Sequence, residues 1–149
     1  MLLRPYYEPM SEKLAISFDA ISEALHGFNF PEVDLVLGIA RGGTPPACMI
    51  AHQLGAALKI VRISHRNDAN EPVYLEPVVV SDFDWDLFSH HRILIVDDVS
   101  VTGKTMAAVK KRLSGHEVHT FVLKGTADLV LFPRVKSCVA WPWKNTIDA

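Results

Sequence analysis

The stretch RILIVDDVSVTGKT, residues 92–105, decides the fold. Arg92 to Val96 reads as a strand whose last four residues, Ile93 to Val96, are a continuous apolar run with no polar alternation, the pattern of a strand covered on both faces, as in parallel sheets. Asp97 to Gly103 reads as a turn, and Lys104 to about Leu113 as the following helix. The tail Thr102-Gly103-Lys104-Thr105 imitates the end of a P-loop, GxxxxGK[ST], but the first glycine of that motif would fall at Asp98. A carboxylate cannot lie against a triphosphate as glycine does, so a nucleoside triphosphatase is excluded. Backbone N–H groups and hydroxyls at a helix start make an anion site for one phosphate. Two adjacent carboxylates upstream suit vicinal hydroxyls, to which they offer hydrogen-bond acceptors. The stretch therefore reads as a binder of a sugar phosphate.

Working outward, the same strand–turn–helix order recurs. Val33 to Gly38 reads as a buried strand, Ala40-Arg41-Gly42-Gly43-Thr44 as a polar turn, and Pro45 to about Gly55 as a helix whose prolines suit its first turn. Ala57–Ile63 and Val118–Leu123 are further strands, and Lys136–Ala140 a short last one. A helix is expected from Ser11 to Gly27, with Leu14, Ile16, Phe18, Ile21 and Leu25 on its apolar face. Residues 64–76 are polar and read as a mobile loop or hairpin. The fold class is α/β: one domain, 1–149, with a mostly parallel, Rossmann-like sheet flanked by helices. In such sheets ligands bind at the carboxyl ends of the strands. Both informative turns, 38–44 and 97–105, lie at such ends.

Composition agrees with a single globular domain. The chain has 149 residues, 49% hydrophobic and 21% charged, with a formal net charge of −2. Disorder is excluded, and a nucleic-acid polymer or an anionic membrane surface is not the expected partner. No run approaches the ~20 apolar residues of a membrane span. The N-terminus, with Arg4, Pro5 and Glu8, lacks the apolar core of a signal peptide, so a cytoplasmic location is expected. Cys48 and Cys138 form no CxxC pair and read as buried, reduced thiols.

The motif of residues 93–105 resembles the phosphoribosyl-pyrophosphate (PRPP) binding motif of type I phosphoribosyltransferases, and the resemblance runs over about residues 11–144. Gly38-Ile39-Ala40-Arg41-Gly42-Gly43 resembles that family's pyrophosphate loop, and residues 64–76 occupy the place of its flexible loop. Lys124, Asp128-Leu129-Val130 and Val139-Ala140-Trp141-Pro142-Trp143 are similar to the base-binding end of the 6-oxopurine branch, most of all its short xanthine-guanine type. The resemblance implies a core over about 11–125 and a base-binding hood over about 126–149. It implies PRPP held by Ala40, Arg41, Gly42, Gly43, Asp97, Asp98, Ser100, Thr102, Gly103, Lys104 and Thr105. The base would face Lys124, Cys138 and Val139, and Mg²⁺ would sit near Asp98. Asp97, Asp98, Val101 and Arg41 mark the reaction centre. Partners would be PRPP, a nitrogenous base and a second copy of the chain in a homodimer or higher homo-oligomer.

Three positions depart from the 6-oxopurine pattern. Val101 stands where that branch carries an aspartate that manages the purine N7 proton, and an alkyl side chain cannot transfer a proton. Cys138 stands where an aromatic residue would stack on the base, and Lys144 where an acid follows Pro-Trp near the metal; Asp148 could take that acid's place. These substitutions keep open a second reading, a PRPP- or nucleotide-binding regulator without transfer. Trp143 reads as a core or interface anchor rather than a base-stacking residue. Asp82, Asp84 and Asp86 imitate a calcium loop whose glycine position is Leu87. They read, with the His90-His91 pair, as surface groups, while Phe83 and Trp85 could support a dimer contact.

Overall fold

A computed structural model describes residues 13–64, 78–79 and 92–144. Among these, the elements run β1 (Leu14–Ala15), α1 (Phe18–His26), β2 (Leu35–Ala40), α2 (Thr44–Leu54), β3 (Ala57–Ser64), β4 (Val78–Val79) and β5 (Arg92–Ser100). They continue as α3 (Lys104–Lys111), β6 (Glu117–Gly125), β7 (Leu129–Val130) and β8 (Val139–Ala140). Six strands form one sheet in the order β4-β3-β2-β5-β6-β7, and β1 pairs with β8 separately. Within the large sheet only the β3–β4 pair is antiparallel. The expected α/β architecture is the one observed.

The continuous apolar strands are explained by burial on two faces. Val36, Leu94, Val96, Phe121 and Leu123 point to one side, where Ile21 and Leu25 of α1, Ile50 of α2 and Trp141 cover them. Leu35, Leu37, Ile93, Ile95 and Val122 point to the other, against Met106 and Val109 of α3 and against Leu113. Each strand thus divides its residues alternately between two cores.

Several expectations are corrected. The first helix begins at Phe18, not near Ser11, because Ser17 is its N-cap and its side chain accepts from the Ala20 N–H at 3.1 Å. Leu14 and Ala15 instead pair in parallel with Val139 and Ala140, and the Leu14 N–H donates to the Cys138 carbonyl at 2.9 Å. The spacing Leu14, Ile16, Phe18 is a period of two as well as part of a helical stripe, and the pairing with β8 decides between them. Asp97–Ser100 belong to β5 rather than to a turn, since they continue the ladder with β6. Cys48 and Cys138 are exposed, not buried. No described helix is long and apolar enough to cross a membrane. The flexible-loop reading of 64–76 lies outside the described residues except for Ser64, the last residue of β3, and the readings of Asp82 to Trp85, His90-His91 and Asp148 lie wholly outside them.

Candidate active site

The strand order creates the site. From β2 the chain passes through α2 to β3 on one side, then returns to place β5 on the other. Neighbouring strands whose connections leave in opposite directions open a crevice at their carboxyl ends. The loop after β2 carries Arg41-Gly42-Gly43, and the end of β5 carries Asp97-Asp98, so the two turns singled out in the sequence face each other there.

They are in tight contact. A Cβ placed on Gly42 would lie 2.4 Å from Asp98 Oδ2, and one on Gly43 would lie 2.5 Å from the Val96 carbonyl oxygen. A Cβ at Gly43 would have to displace backbone, so glycine there is a steric requirement, whereas at Gly42 it would press on the Asp98 carboxylate. The Gly43 N–H donates to the Ile39 carbonyl at 2.8 Å, and the Ala40–Arg41 peptide is cis. Pro45 and Pro46 open α2, whose N-cap, Gly43, makes no side-chain cap. Arg41 is exposed beside this helix start.

Asp98 is buried, with its Oδ1 accepting from the Val99 N–H at 2.7 Å. Lys144 Nζ lies 3.9 Å from its Oδ2. The Asp98 N–H donates to Asp97 Oδ1 at 2.8 Å. Burial, reinforced by the neighbouring Asp98 charge, pushes the Asp97 carboxyl up to about 8. Beyond β5, Gly103 takes φ +80° as the N-cap of α3, and the Lys104 N–H donates to Thr102 Oγ1 at 3.3 Å. The helix start at 102–105 is thus formed, with Gly103 at the cap position.

Among the described residues no group of three or more His, Cys, Asp or Glu could hold a metal ion. Mg²⁺ commonly takes only one or two protein carboxylates and draws its other ligands from water and substrate phosphates. Asp98 fits that role, because its Oδ1 is engaged by the backbone while its Oδ2 faces the Gly42 loop.

Lys124 sits on β6 opposite Val99 of β5. It lines a cavity of about 270 Å³ with Val99, Ser100, Val101, Gly125 and residues of the 126–136 segment. Cys138 and Val139 are elsewhere: Cys138 is exposed, and Val139 pairs with Leu14 and packs on the core. Val101 stands at the cavity and is 83% exposed. Trp143 packs against the core and stacks on Trp141 with ring centroids 5.6 Å apart.

Two further site residues had not been singled out. Gly125 turns with φ +114°, and a Cβ there would fall 1.9 Å from the Ser100 carbonyl oxygen; a lone glycine closing a strand was its signal. Lys136 shares the cavity wall with Lys124, and nothing in the local pattern marks it.

Residues 12–144 match the phosphoribosyl transferase domain. The chain belongs to this family. An orotate phosphoribosyltransferase from Sulfurisphaera tokodaii is 29% identical over 108 residues, 70% of this chain and 50% of the relative. The transcriptional regulator GfcR of Methanocella arvoryzae is 34% identical over 90 residues, 59% of this chain and 42% of the relative. This phosphoribosyl transferase domain thus spans about half the length of the relatives it matches. A purine phosphoribosyltransferase structure from Pyrococcus horikoshii superimposes with a TM-score of 0.72 at 26% identity, covering 89% of this chain and 95% of that one.

Proposed function

We propose that the protein transfers the 5-phosphoribosyl group from PRPP to a nitrogenous base, a 6-oxopurine in the first instance, releasing pyrophosphate with Mg²⁺ as the metal. The observation that carries this reading is the contact of Gly42 with Asp98, which sets an anion-binding loop directly against a carboxylate suited to ribose hydroxyls. Family membership supports the transfer chemistry, and the purine phosphoribosyltransferase of Pyrococcus horikoshii supports the choice of base.

In this reading the amides and hydroxyls of Thr102, Gly103, Lys104 and Thr105 hold the 5′-phosphate. Asp97 and Asp98 accept from the ribose hydroxyls, and Ser100 fixes the floor by accepting the Thr126 N–H through its carbonyl, at 2.8 Å. Ala40, Arg41, Gly42 and Gly43 hold the pyrophosphate. As the C1′–O bond breaks, its electron pair leaves with pyrophosphate and positive charge develops on the ribose. The loop amides and the Arg41 guanidinium stabilise the departing charge, and Asp97 and Asp98 orient the sugar. Mg²⁺, when bound, would neutralise part of the pyrophosphate charge, and Asp98 would hold it. The segment from 126 onward, with Lys124, faces the base.

The direct test is pyrophosphate release from PRPP and Mg²⁺ over a panel of purines and pyrimidines; no release with any base refutes transfer. The similarity to a transcriptional regulator, together with Val101 at the cavity, favours one alternative: a domain that binds PRPP or a nucleotide without turnover. Calorimetry showing PRPP binding in a protein silent with every base selects it.

A further inference from the structure

The proposed phosphoribosyl transfer leaves the ammonium of Lys144 without a role, and the inference drawn from that group rests on the transfer reading. Lys144 Nζ lies 3.9 Å from Asp98 Oδ2. At that separation charge holds the pair rather than a hydrogen bond, which between ammonium and carboxylate closes to about 2.8 Å. The two partners differ in freedom. Asp98 is 11% exposed, with its Oδ1 fixed by the Val99 N–H at 2.7 Å, whereas the Lys144 side chain is 53% exposed. Lys144 is anchored through its backbone, whose N–H donates to the carbonyl of the buried Trp141 at 3.0 Å. Its Cα is therefore fixed on the core, while the flexible four-carbon stem lets the ammonium swing.

The oxygen that Lys144 faces is contested. Asp98 Oδ2 is the oxygen free to take a divalent cation, because Oδ1 is engaged by backbone, and it is also the atom nearest to a Cβ built on Gly42. A divalent ion on Oδ2, at the ordinary ~2.1 Å, would lie within about 6 Å of the ammonium as it stands. Charges of +2 and +1 at about 6 Å oppose binding by about tenfold even with water-like screening. If the ammonium withdraws instead, it forfeits its attraction to Asp98, worth about fivefold at this distance. A free divalent ion is thus opposed in either case. A diphosphate in the Arg41-Gly42-Gly43 loop changes the balance, since it offers the swinging ammonium a second anion beside the first. We propose that Lys144 is a mobile counter-cation, which sits on Asp98 in the free protein, opposes a free divalent ion there, and moves to the diphosphate when substrate binds. By linkage, diphosphate and divalent ion then favour each other's binding through this one side chain.

The test is calorimetry on the full chain with two probes, each offered alone: Mn²⁺ without diphosphate, and pyrophosphate in EDTA. Lys144→Met should bind Mn²⁺ about fivefold more tightly than the wild type. The same variant should bind pyrophosphate about tenfold more weakly, the value of one charge-assisted hydrogen bond. Lys144→Arg keeps the charge and should return both affinities toward wild type. Shifts of opposite sign separate this role from a structural one, because a crevice that has lost its shape binds both probes more weakly. Any result other than opposed shifts in Lys144→Met overturns the proposal, and so does Lys144→Arg behaving as Lys144→Met. PRPP binding by the wild type with Mg²⁺ is measured in parallel. If PRPP fails to bind, the transferase reading falls and the proposal with it; if PRPP binds and the opposed shifts are missing, only the role of Lys144 falls.

Discussion

The contact between the β2 loop and the end of β5 makes two neighbouring glycines unequal, and alanine at each should separate stability from binding. At Gly42 the three atoms nearest the new Cβ all belong to the Asp98 carboxylate, at 2.4 Å for Oδ2, 2.6 Å for Cγ and 2.7 Å for Oδ1. Reaching an ordinary contact of about 3.5 Å requires that carboxylate to retreat by about 1 Å. The side chain can rotate, but doing so strains the bond from the Val99 N–H to Asp98 Oδ1, at 2.7 Å. The cost to folding should be about 1–2 kcal/mol. A misplacement of about 1 Å in a group that orients substrate can cost about 100-fold, so PRPP affinity should fall by one to two orders of magnitude, roughly. At Gly43 the Cβ would instead meet backbone: the Val96 and Ile39 carbonyl oxygens at 2.5 and 2.6 Å and the Asp97 Cα at 2.9 Å. Two adjacent strands would have to part, at about 3 kcal/mol or more. Urea midpoints and PRPP titration calorimetry with Mg²⁺ read both quantities. Gly42→Ala with wild-type PRPP affinity, or Gly43→Ala no less stable than Gly42→Ala, would refute the reasoning.

The Asp97 carboxyl is pushed up to about 8 from an ordinary value of 3.8, so the folded state binds its proton more tightly than the unfolded state. The resulting stability is present below about pH 4 and is lost as pH rises toward 8; Asp97→Asn should flatten that decline in urea melts taken from pH 5 to 9. Asp128 and Thr120 exchange reciprocal bonds of 2.9 Å, each backbone N–H donating to the other's side chain, which fixes the turn from β6 to β7. Asp128→Ala leaves the Thr120 N–H without its acceptor and should cost about 1–2 kcal/mol by denaturant melt. The Trp143 indole Nε1 is buried without a hydrogen-bond partner, so Trp143→Phe should leave the thermal midpoint unchanged or raised, whereas Trp143→Ala should lower it.

The three central strands were readable because burial on both faces leaves an unbroken apolar run. Val36 and Leu37 serve opposite cores, yet both must be apolar. The end of β5 was not readable, because Asp97 and Asp98 carry the local signature of a turn. They stay in the strand through long-range pairing, Asp97 with Val122 and Ser100 with Gly125. β7 contributes only Leu129 and Val130, paired with Phe121 and Val122 of β6, and is too short for any period to appear. Both loops of the candidate site were visible as glycine, arginine and acid patterns. Their contact was not: Gly42 meets Asp98 only because β2 and β5 are neighbours in the sheet. Lys136 has the same character, reaching the cavity only through the path of the chain after β7.

The charge of the site is distributed in a way that the net value of −2 conceals. An acid pair at the crevice would repel a substrate carrying a phosphate and a pyrophosphate if both members were fully ionised. Burial and the charge of Asp98 hold the Asp97 proton on to about 8, so near neutrality the pair carries closer to one charge than two. Lys144 Nζ, 3.9 Å from Asp98 Oδ2, offsets part of what is left. A half-protonated pair still offers acceptor oxygens to ribose hydroxyls, since a protonated carboxyl keeps its carbonyl oxygen. The same carboxylates can therefore recognise a sugar without excluding the phosphates attached to it. The cations that would face those phosphates and the base lie on loops (Arg41, Lys136), at a helix start (Lys104) or at a strand end (Lys124). Reversing the order, with cations central and acids outside, would bind phosphate equally well but leave the ribose hydroxyls without acceptors.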